Sequence, residues 1–242
     1  MNSKEHFNTV GEEGLRGKIG ESAYHNYANY VLRVVNPPKG SSLLDLGCGD
    51  GKMLRTIATM RPDLQLIGWD FADVKIAQAI AEAKDVTNVI YEVVDLKSEI
   101  PAGSQADNAY TFSVIQYFTP NEFGRLNRDV AKRRLSSAAS IHHLSIPDLI
   151  KRPLLFQTDW LDRGQKSFTA SVVHMLRMLA MDAKRRLIND LHYGDSYFHD
   201  ADNLLRLSKE EFEGLVNRPS DSWYRFDIHL TRKAIEEHAN HL

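Results

Sequence analysis

The sequence predicts an open α/β fold: a seven-stranded, mostly parallel sheet with helices on both faces, an antiparallel C-terminal edge and a helical insertion after strand five. Three observations lead there. From about residue 42, short apolar runs alternate with helical periods. The turn joining the first run to the first period is glycine-rich, Asp45-Leu46-Gly47-Cys48-Gly49-Asp50-Gly51. Near the C-terminus, Trp223 to Thr231 alternates, with Phe226, Ile228 and Leu230 on one face, as a half-buried strand at an antiparallel edge does.

Leu43 to Leu46 reads as the first strand and Lys52 to Met60 as the helix after it. Leu64 to Trp69 is the second strand, followed by a helix over Val74 to Lys84 with apolar residues at 74, 77, 80 and 81. Asn88 to Val94 and Asn108 to Ile115 are the third and fourth strands. Thr119-Pro120-Asn121-Glu122 then opens a helix, with Thr as N-cap, Pro in the first turn and Glu three residues after the cap. Ser137 to Ile146 is a weaker fifth strand, stopped by Pro147. Phe212 to Val216 supplies a hairpin partner for the last strand, although Lys209 to Leu215 reads almost as well as helix. Between them residues 148–207 read mostly as helix, too long for a plain connection, and suggest a cap over the substrate side. The expected layout is a single domain with an N-terminal helical cap (1–38), a core (40–148), a cap insertion (149–207) and final strands (208–242).

At 242 residues, roughly 70–75% of the unfolded surface should be buried. A hydrophobic share of 43% and a charged share of 26% are those of a globular chain. The net charge of -2 supplies no basic field for nucleic acid or anionic membrane. The runs Lys132-Arg133-Arg134 and Lys184-Arg185-Arg186 read as solvated helix ends. A lone cysteine, Cys48, precludes an internal disulfide and fits a reducing compartment, and the polar N-terminus is unlike a signal peptide, so a cytoplasmic protein is expected. The most apolar helix, around 168–181, is broken by His174 and Arg177 and does not read as a membrane span.

Glycines in a strand-to-helix turn let a ligand approach the backbone closely. A dinucleotide loop would place its third glycine three residues after the second, which here is Lys52, and a phosphate loop would follow Gly-Lys with Ser or Thr, which here is Met53. The third glycine instead falls at Gly51, and an acid, Asp45, lies inside the strand. That pattern suits a nucleoside ligand without phosphates. Asp70 ends the second strand, where a carboxylate accepts from both ribose hydroxyls, and Asp95 ends the third, where it accepts from an adenine amino group. Each has a plainer reading: a tight turn for the glycines, a helix-start acid for Asp70, a strand-end cap for Asp95. Cys48 reads as a small packing residue, since no neighbouring histidine activates it.

Taken in order, Leu43 to Gly51, Asp70-Phe71, Val94-Asp95-Leu96 and Ser113 to Phe118 resemble the motifs of class I, Rossmann-like S-adenosylmethionine-dependent methyltransferases over about residues 40 to 148. The resemblance implies S-adenosylmethionine as cofactor. Asp45 would orient the loop and the methionyl amino group, with Gly47, Cys48, Gly49 and Gly51 around the methionine and ribose. Asp70 would hold the ribose, Phe71 cover adenine, Asp95 and the Leu96 amide recognise its edge, and Ser113 meet the methionyl ammonium. Ser145 to Asp148, Phe198-His199-Asp200 and Tyr224 to Asp227 further resemble small-molecule methyltransferases of bacterial polysaccharide and natural-product pathways.

A hydroxyl acceptor benefits from a base at the carboxyl ends of strands four and five or in the cap, which selects Gln116, Tyr117, Asp148, Tyr197, His199 and Asp200. His199 stands first among the catalytic candidates, ahead of Asp148 and Tyr117, because histidine is matched to neutral pH. A surface or capping histidine is the plain alternative. His142 and His143 are adjacent in a strand, point to opposite faces and read as packed histidines, and no other spacing forces a metal site. Tyr24, Tyr27 and Tyr30, at helical spacing, would lay an aromatic stripe over the cofactor mouth or pack in the core. The expected partner is a small-molecule acceptor such as a sugar, glycan precursor or natural product, with no nucleic acid or membrane, and a homodimer is left open. RNA or protein methylation is disfavoured by the charge balance and by Ser113-Val114-Ile115-Gln116 standing where an Asn/Asp-Pro-Pro-aromatic motif would be. A cofactor-binding partner protein without catalysis remains a third reading.

Overall fold

The computed structural model describes residues 21–149, 192–193, 196–218 and 225–233, with Leu176 and Ala180. In chain order its elements are α1 (Glu21–Val35), β1 (Ser42–Leu46), α2 (Lys52–Met60), β2 (Gln65–Asp70), α3 (Asp73–Glu82), β3 (Val89–Val93), β4 (Ala106–Phe112), a 3-10 turn (Ile115–Tyr117), α4 (Pro120–Arg134) and β5 (Leu135–Pro147). There follow a small hairpin, β6 (His192–Tyr193) and β7 (Ser196–Tyr197), then α5 (Ala201–Ser208), β8 (Phe212–Asn217) and β9 (Arg225–Arg232). The main sheet has seven strands in the order β3-β2-β1-β4-β5-β9-β8. Its first five pair in parallel, while β9 runs antiparallel to β5 and β8 antiparallel to β9. The expected sheet is present, and its order reverses between β1 and β4, where open α/β sheets bind ligands.

The central strands are covered on both faces, which is why they read as continuous apolar runs. Leu44, Leu46, Ile67 and Trp69 pack with Phe123, Leu126 and Val130 of α4. On the opposite side Leu43, Leu66 and Tyr110 pack with Leu54 and Ile57 of α2 and Val31 of α1. Helix α4 opens with the expected capping box: Glu122 N–H donates to Thr119 Oγ1 at 3.2 Å, and Thr119 N–H donates to Glu122 Oε2 at 2.7 Å.

Three expectations are corrected. Strand β4 stops at Phe112, because Ser113 takes a positive φ of 57° and the chain turns into the 3-10 segment. Helix α3 buries Ile76 and Ala79, so the 74/77/80/81 stripe faces outward. Two apolar faces compete in this helix, and the β2–α3 connection decides between them. At the end of α4, Arg134 is buried against Trp69, its guanidinium 4.5 Å from the ring centroid. The expected hairpin partner is present as Phe212–Asn217, in preference to the helical reading of 209–215, because β9 offers it a full ladder. The central part of the expected cap, 150–191, lies outside the described residues apart from Leu176 and Ala180, as does the run at 184–186. Among the described residues no helix is long and apolar enough to cross a membrane.

Candidate active site

The loop after β1 is a chain of backbone constraints. Gly47, Gly49 and Gly51 have φ of 96°, 58° and 72°, a region that side chains disfavour. Gly47 and Cys48 N–H both donate to Trp69 O, at 2.7 and 2.9 Å, hooking the loop over the tip of β2. A Cβ on Gly47 would lie 2.5 Å from Val114 Cγ2, and one on Gly51 would lie 2.7 Å from the Tyr91 ring. Two of the glycines are thus required by the protein's own side chains as well as by any ligand. Strand alternation gave no sign that Val114 and Tyr91 would reach the loop. Cys48 is nearly buried, and burial beside the Asp45 and Asp70 carboxylates pushes its thiol pKa up, which fits packing and not nucleophilic work.

Asp70 Oδ2 accepts from Gly49 N–H at 3.0 Å and its Oδ1 from Ala72 N–H at 2.9 Å. The carboxylate thereby joins the glycine loop to the start of α3. Burial raises its pKa, opposed by these two amides. Asp45 is buried beneath the loop, where Tyr110 O–H donates to its Oδ2 at 2.6 Å. Burial raises Asp45 to about 7, with the tyrosine bond pulling the other way. Asp95 is exposed and shapes the turn after β3: Lys97 N–H donates to Oδ1 and Ser98 O–H to Oδ2, both at 2.8 Å. The plain capping reading therefore holds for Asp95, with lone pairs left over. The Leu96 side chain is core, which leaves only its backbone for recognition, and Phe71 is half-buried beside Asp70. Ser113 donates its N–H to Leu144 O at 3.0 Å, at the neighbouring tip of β4.

One strand further along, the tips of β4, β5 and β9 bring together most of the acceptor-side candidates. Residues 147–149 and 199 form a short parallel bridge: His199 N–H donates to Pro147 O at 2.9 Å and Leu149 N–H to His199 O at 2.8 Å. His199 is fully buried, and its Nε2 lies 2.9 Å from Ile115 O, so Nε2 carries the proton and donates it to the turn bearing Gln116 and Tyr117. Burial pulls its pKa down to about 4. At neutral pH the ring is therefore uncharged, with its Nε2–H propping the turn and its buried Nδ1 without a hydrogen-bond partner among the described residues. Asp148 is 1% exposed and meets Arg218 Nε at 3.4 Å. Asp200, by contrast, is spent as the N-cap of α5, accepting from Asn203 N–H at 2.8 Å.

Sequence reading missed the neighbouring group. Ser145 sits at a bulge with φ 63°, donates its N–H to Asp227 Oδ1 at 2.8 Å and accepts from Arg225 through its carbonyl at 2.5 Å. Arg225 also donates to Gln116 Oε1 at 3.2 Å, and Tyr30 O–H donates to Asp227 Oδ2. The tyrosine stripe of α1 therefore runs across the strand tips. Tyr24 lies under Lys52 Nζ, 4.7 Å from the ring centroid, Tyr27 stacks against Phe112 at 5.0 Å, and Tyr30 ends at Asp227. His142 and His143 face opposite sides as expected. His143 lies 2.7 Å from Asn127 Oδ1 and 3.1 Å from Thr111 Oγ1, and His142 Nδ1 lies 2.9 Å from His229 Nδ1.

The family described as "Methyltransferase domain" matches residues 43–134, the stretch from β1 to the end of α4. The N-methyltransferase NodS from Bradyrhizobium japonicum, solved with S-adenosylhomocysteine, superposes with a TM-score of 0.59 at 12% identity, over 95% of this chain and 96% of that one. Magnesium protoporphyrin IX methyltransferase from Synechocystis superposes at 0.59 and 14% identity, over 95% and 97%. Geranyl diphosphate C-methyltransferase from Streptomyces coelicolor follows at 0.55 and 10%, over 86% and 76%. The fold of the described residues is therefore the α/β methyltransferase fold. No curated protein matches the sequence.

Proposed function

We propose that this protein is an S-adenosylmethionine-dependent methyltransferase acting on a small-molecule acceptor. The observation that carries this reading is the bond from Gly49 N–H to the Asp70 carboxylate at the tips of β1 and β2, beside the β1–β4 switch point and within a segment matching the methyltransferase domain. It fixes a glycine loop and a ribose-type carboxylate in one frame, with no phosphate-binding Gly-Lys-Ser/Thr sequence. The donor set suits a nucleoside carrying a positively charged sulfonium: Asp70 for ribose, Asp45 and Ser113 towards the amino-acid end, and Phe71, Asp95 and the Leu96 amide towards adenine.

When bound, the cofactor supplies an electrophilic methyl group. The chain's part is alignment and exclusion of water, with the α1 tyrosines across the mouth and the acceptor over the tips of β4 and β5. His199 holds the Ile115–Tyr117 turn, and His199, Asp148 and Tyr117 remain our candidates to orient the acceptor and take its proton. O-methylation of a sugar, glycan precursor or natural product remains our reading of the acceptor, supported by the motif resemblance at Ser145 to Asp148 and Tyr224 to Asp227. Structural neighbours named as N- and C-methyltransferases show that this fold does not by itself choose the atom. Titration calorimetry with S-adenosylmethionine, S-adenosylhomocysteine and NAD tests the reading: saturable binding of the first two and none of NAD is expected, and the reverse order overturns it.

A further inference from the structure

Asp45 of β1 stands in a row that crosses the sheet. Tyr110 of β4 is its register partner on one side and Gly68 of β2 on the other, with Tyr91 of β3 beyond the glycine. Side chains in such a row share a face, here the one packed against α2. Gly68 leaves room for its neighbours, since a Cβ there would lie 2.7 Å from the Tyr91 ring and 2.9 Å from Cys48 Sγ. Asp45 is 1% exposed, and Tyr110 is fully buried.

The charge that this carboxyl group would carry has no counterpart. Its Oδ2 accepts from the Tyr110 hydroxyl at 2.6 Å, and its side chain makes no other hydrogen bond among the described residues. The ionisable groups around it are Tyr110, Tyr91, the Cys48 thiol and the Asp70 carboxylate, none of them a cation. The basic groups of the helices on this face turn elsewhere. Lys52 Nζ lies 4.7 Å from the centre of the Tyr24 ring, Arg33 lies over Tyr30, and Arg55 donates to Asp50 O and pairs with Glu82. His142, beyond Tyr110 on β5, is uncharged at neutral pH because burial holds its pKa near 4. A buried carboxylate with one neutral donor is costly to ionise, and burial accordingly raises Asp45 to about 7.

We infer that the missing positive charge comes with the ligand: a cationic amino group pairs with Asp45 Oδ1, Asp45 releases its proton on binding, and Tyr110 is the positioning residue that holds Oδ2. The inference rests on the cofactor reading above, which sets Asp45 towards the amino-acid end, and adds proton release to that equilibrium. The O–H bond of the Asp45 carboxyl breaks and its proton passes to solvent, while the ligand's ammonium keeps all its protons. The sign follows. In acid, binding must first remove the proton, so affinity falls as pH drops, and above about 7 the carboxylate is already ionised and the dependence levels off.

Titration calorimetry with S-adenosylhomocysteine, in buffers of different ionisation enthalpy, counts the protons. Release of about one proton at pH 6, fading towards none at pH 8, is expected, with affinity about tenfold lower at pH 6 than at pH 8. Methylthioadenosine, which lacks the amino-acid part, should bind without that release. Asp45→Asn should abolish the release. Tyr110→Phe withdraws the bond that favours the ionised form, so the pH at which affinity levels off should move upward, which a loss of stability alone would not cause. The inference is overturned if S-adenosylhomocysteine binds without releasing protons, if methylthioadenosine releases as many, or if the release survives Asp45→Asn. A pH profile that Tyr110→Phe leaves in place overturns the role given to Tyr110. Failure of both ligands to bind at any pH overturns the cofactor reading itself and this inference with it.

Discussion

Gly47→Ala separates two reasons for a glycine at the start of the loop. The added Cβ would sit 2.5 Å from Val114 Cγ2 and 3.2 Å from Cγ1, at a φ of 96°. Holding a non-glycine residue in that region costs about 1–3 kcal/mol, and forcing a methyl into an occupied space costs about as much again. The sum is about 2–6 kcal/mol, a large part of the 5–15 kcal/mol that typically separates folded from unfolded domains. Val114→Ala removes both clashing methyl groups but not the dihedral strain. The double variant should therefore recover about 1–3 kcal/mol relative to the sum of the singles, measured by urea denaturation on all four proteins. S-adenosylhomocysteine titration on the double variant then reports what the loop alone contributes to binding. Additive single effects, within about 0.5 kcal/mol, would refute Val114 as the group that demands glycine and leave the dihedral and the ligand as the reasons.

Asp70→Ala removes the acceptor for Gly49 and Ala72 N–H as well as the ribose contact, so S-adenosylmethionine affinity should fall at least tenfold by calorimetry, and unchanged affinity sinks the ribose assignment. His199→Ala should lower the melting temperature through loss of the Ile115 bond and a buried ring; His199→Gln, which can still donate, should recover both stability and turnover if the residue props the turn, whereas a proton acceptor would leave both variants slowed about 10²–10⁴-fold. Acid should destabilise the fold. His142, His143 and His199 titrate near 4, 3 and 4 when folded, so the stability they lend is complete above the unfolded value near 6.5 and is lost as pH falls. Asp45, raised to about 7, works the other way, because its contribution fades as pH rises from 3.8. Three protons taken up against one released leave about 2–3 kcal/mol lost per pH unit between about 6 and 4.5. Urea midpoints at pH 7, 6 and 5 check this, and a flat profile contradicts it.

The order of strands and helices through residue 147, the capping box at Thr119 and the glycine loop were legible in the chain itself, because each rests on local chemistry: side-chain periodicity, a cap hydroxyl three residues from its glutamate, glycines where φ must be positive. The positions of Asp45, Asp70 and Asp95 followed from those strands. Their partners did not. Tyr110 under Asp45, Val114 over Gly47 and Tyr91 over Gly51 lie 40 to 67 residues away in sequence, and only the register of the parallel strands brings them into contact. The same holds for the acceptor side, where Tyr30, Ser145, Arg225 and Asp227 meet because β9 runs antiparallel to β5 and α1 crosses the strand tips. The face that α3 buries was also undecided by periodicity, since both its stripes are apolar and the crossover from β2 makes the choice. His199 shows the limit most sharply: its residue type suggested a base, but its complete burial, which lowers its pKa, and its bond to Ile115 O, a tertiary contact across 84 residues, were not legible in the chain. Local sequence determined which elements form and which residues stand at their ends, while desolvation and long-range partners, properties of the packed chain alone, decided what those residues can do.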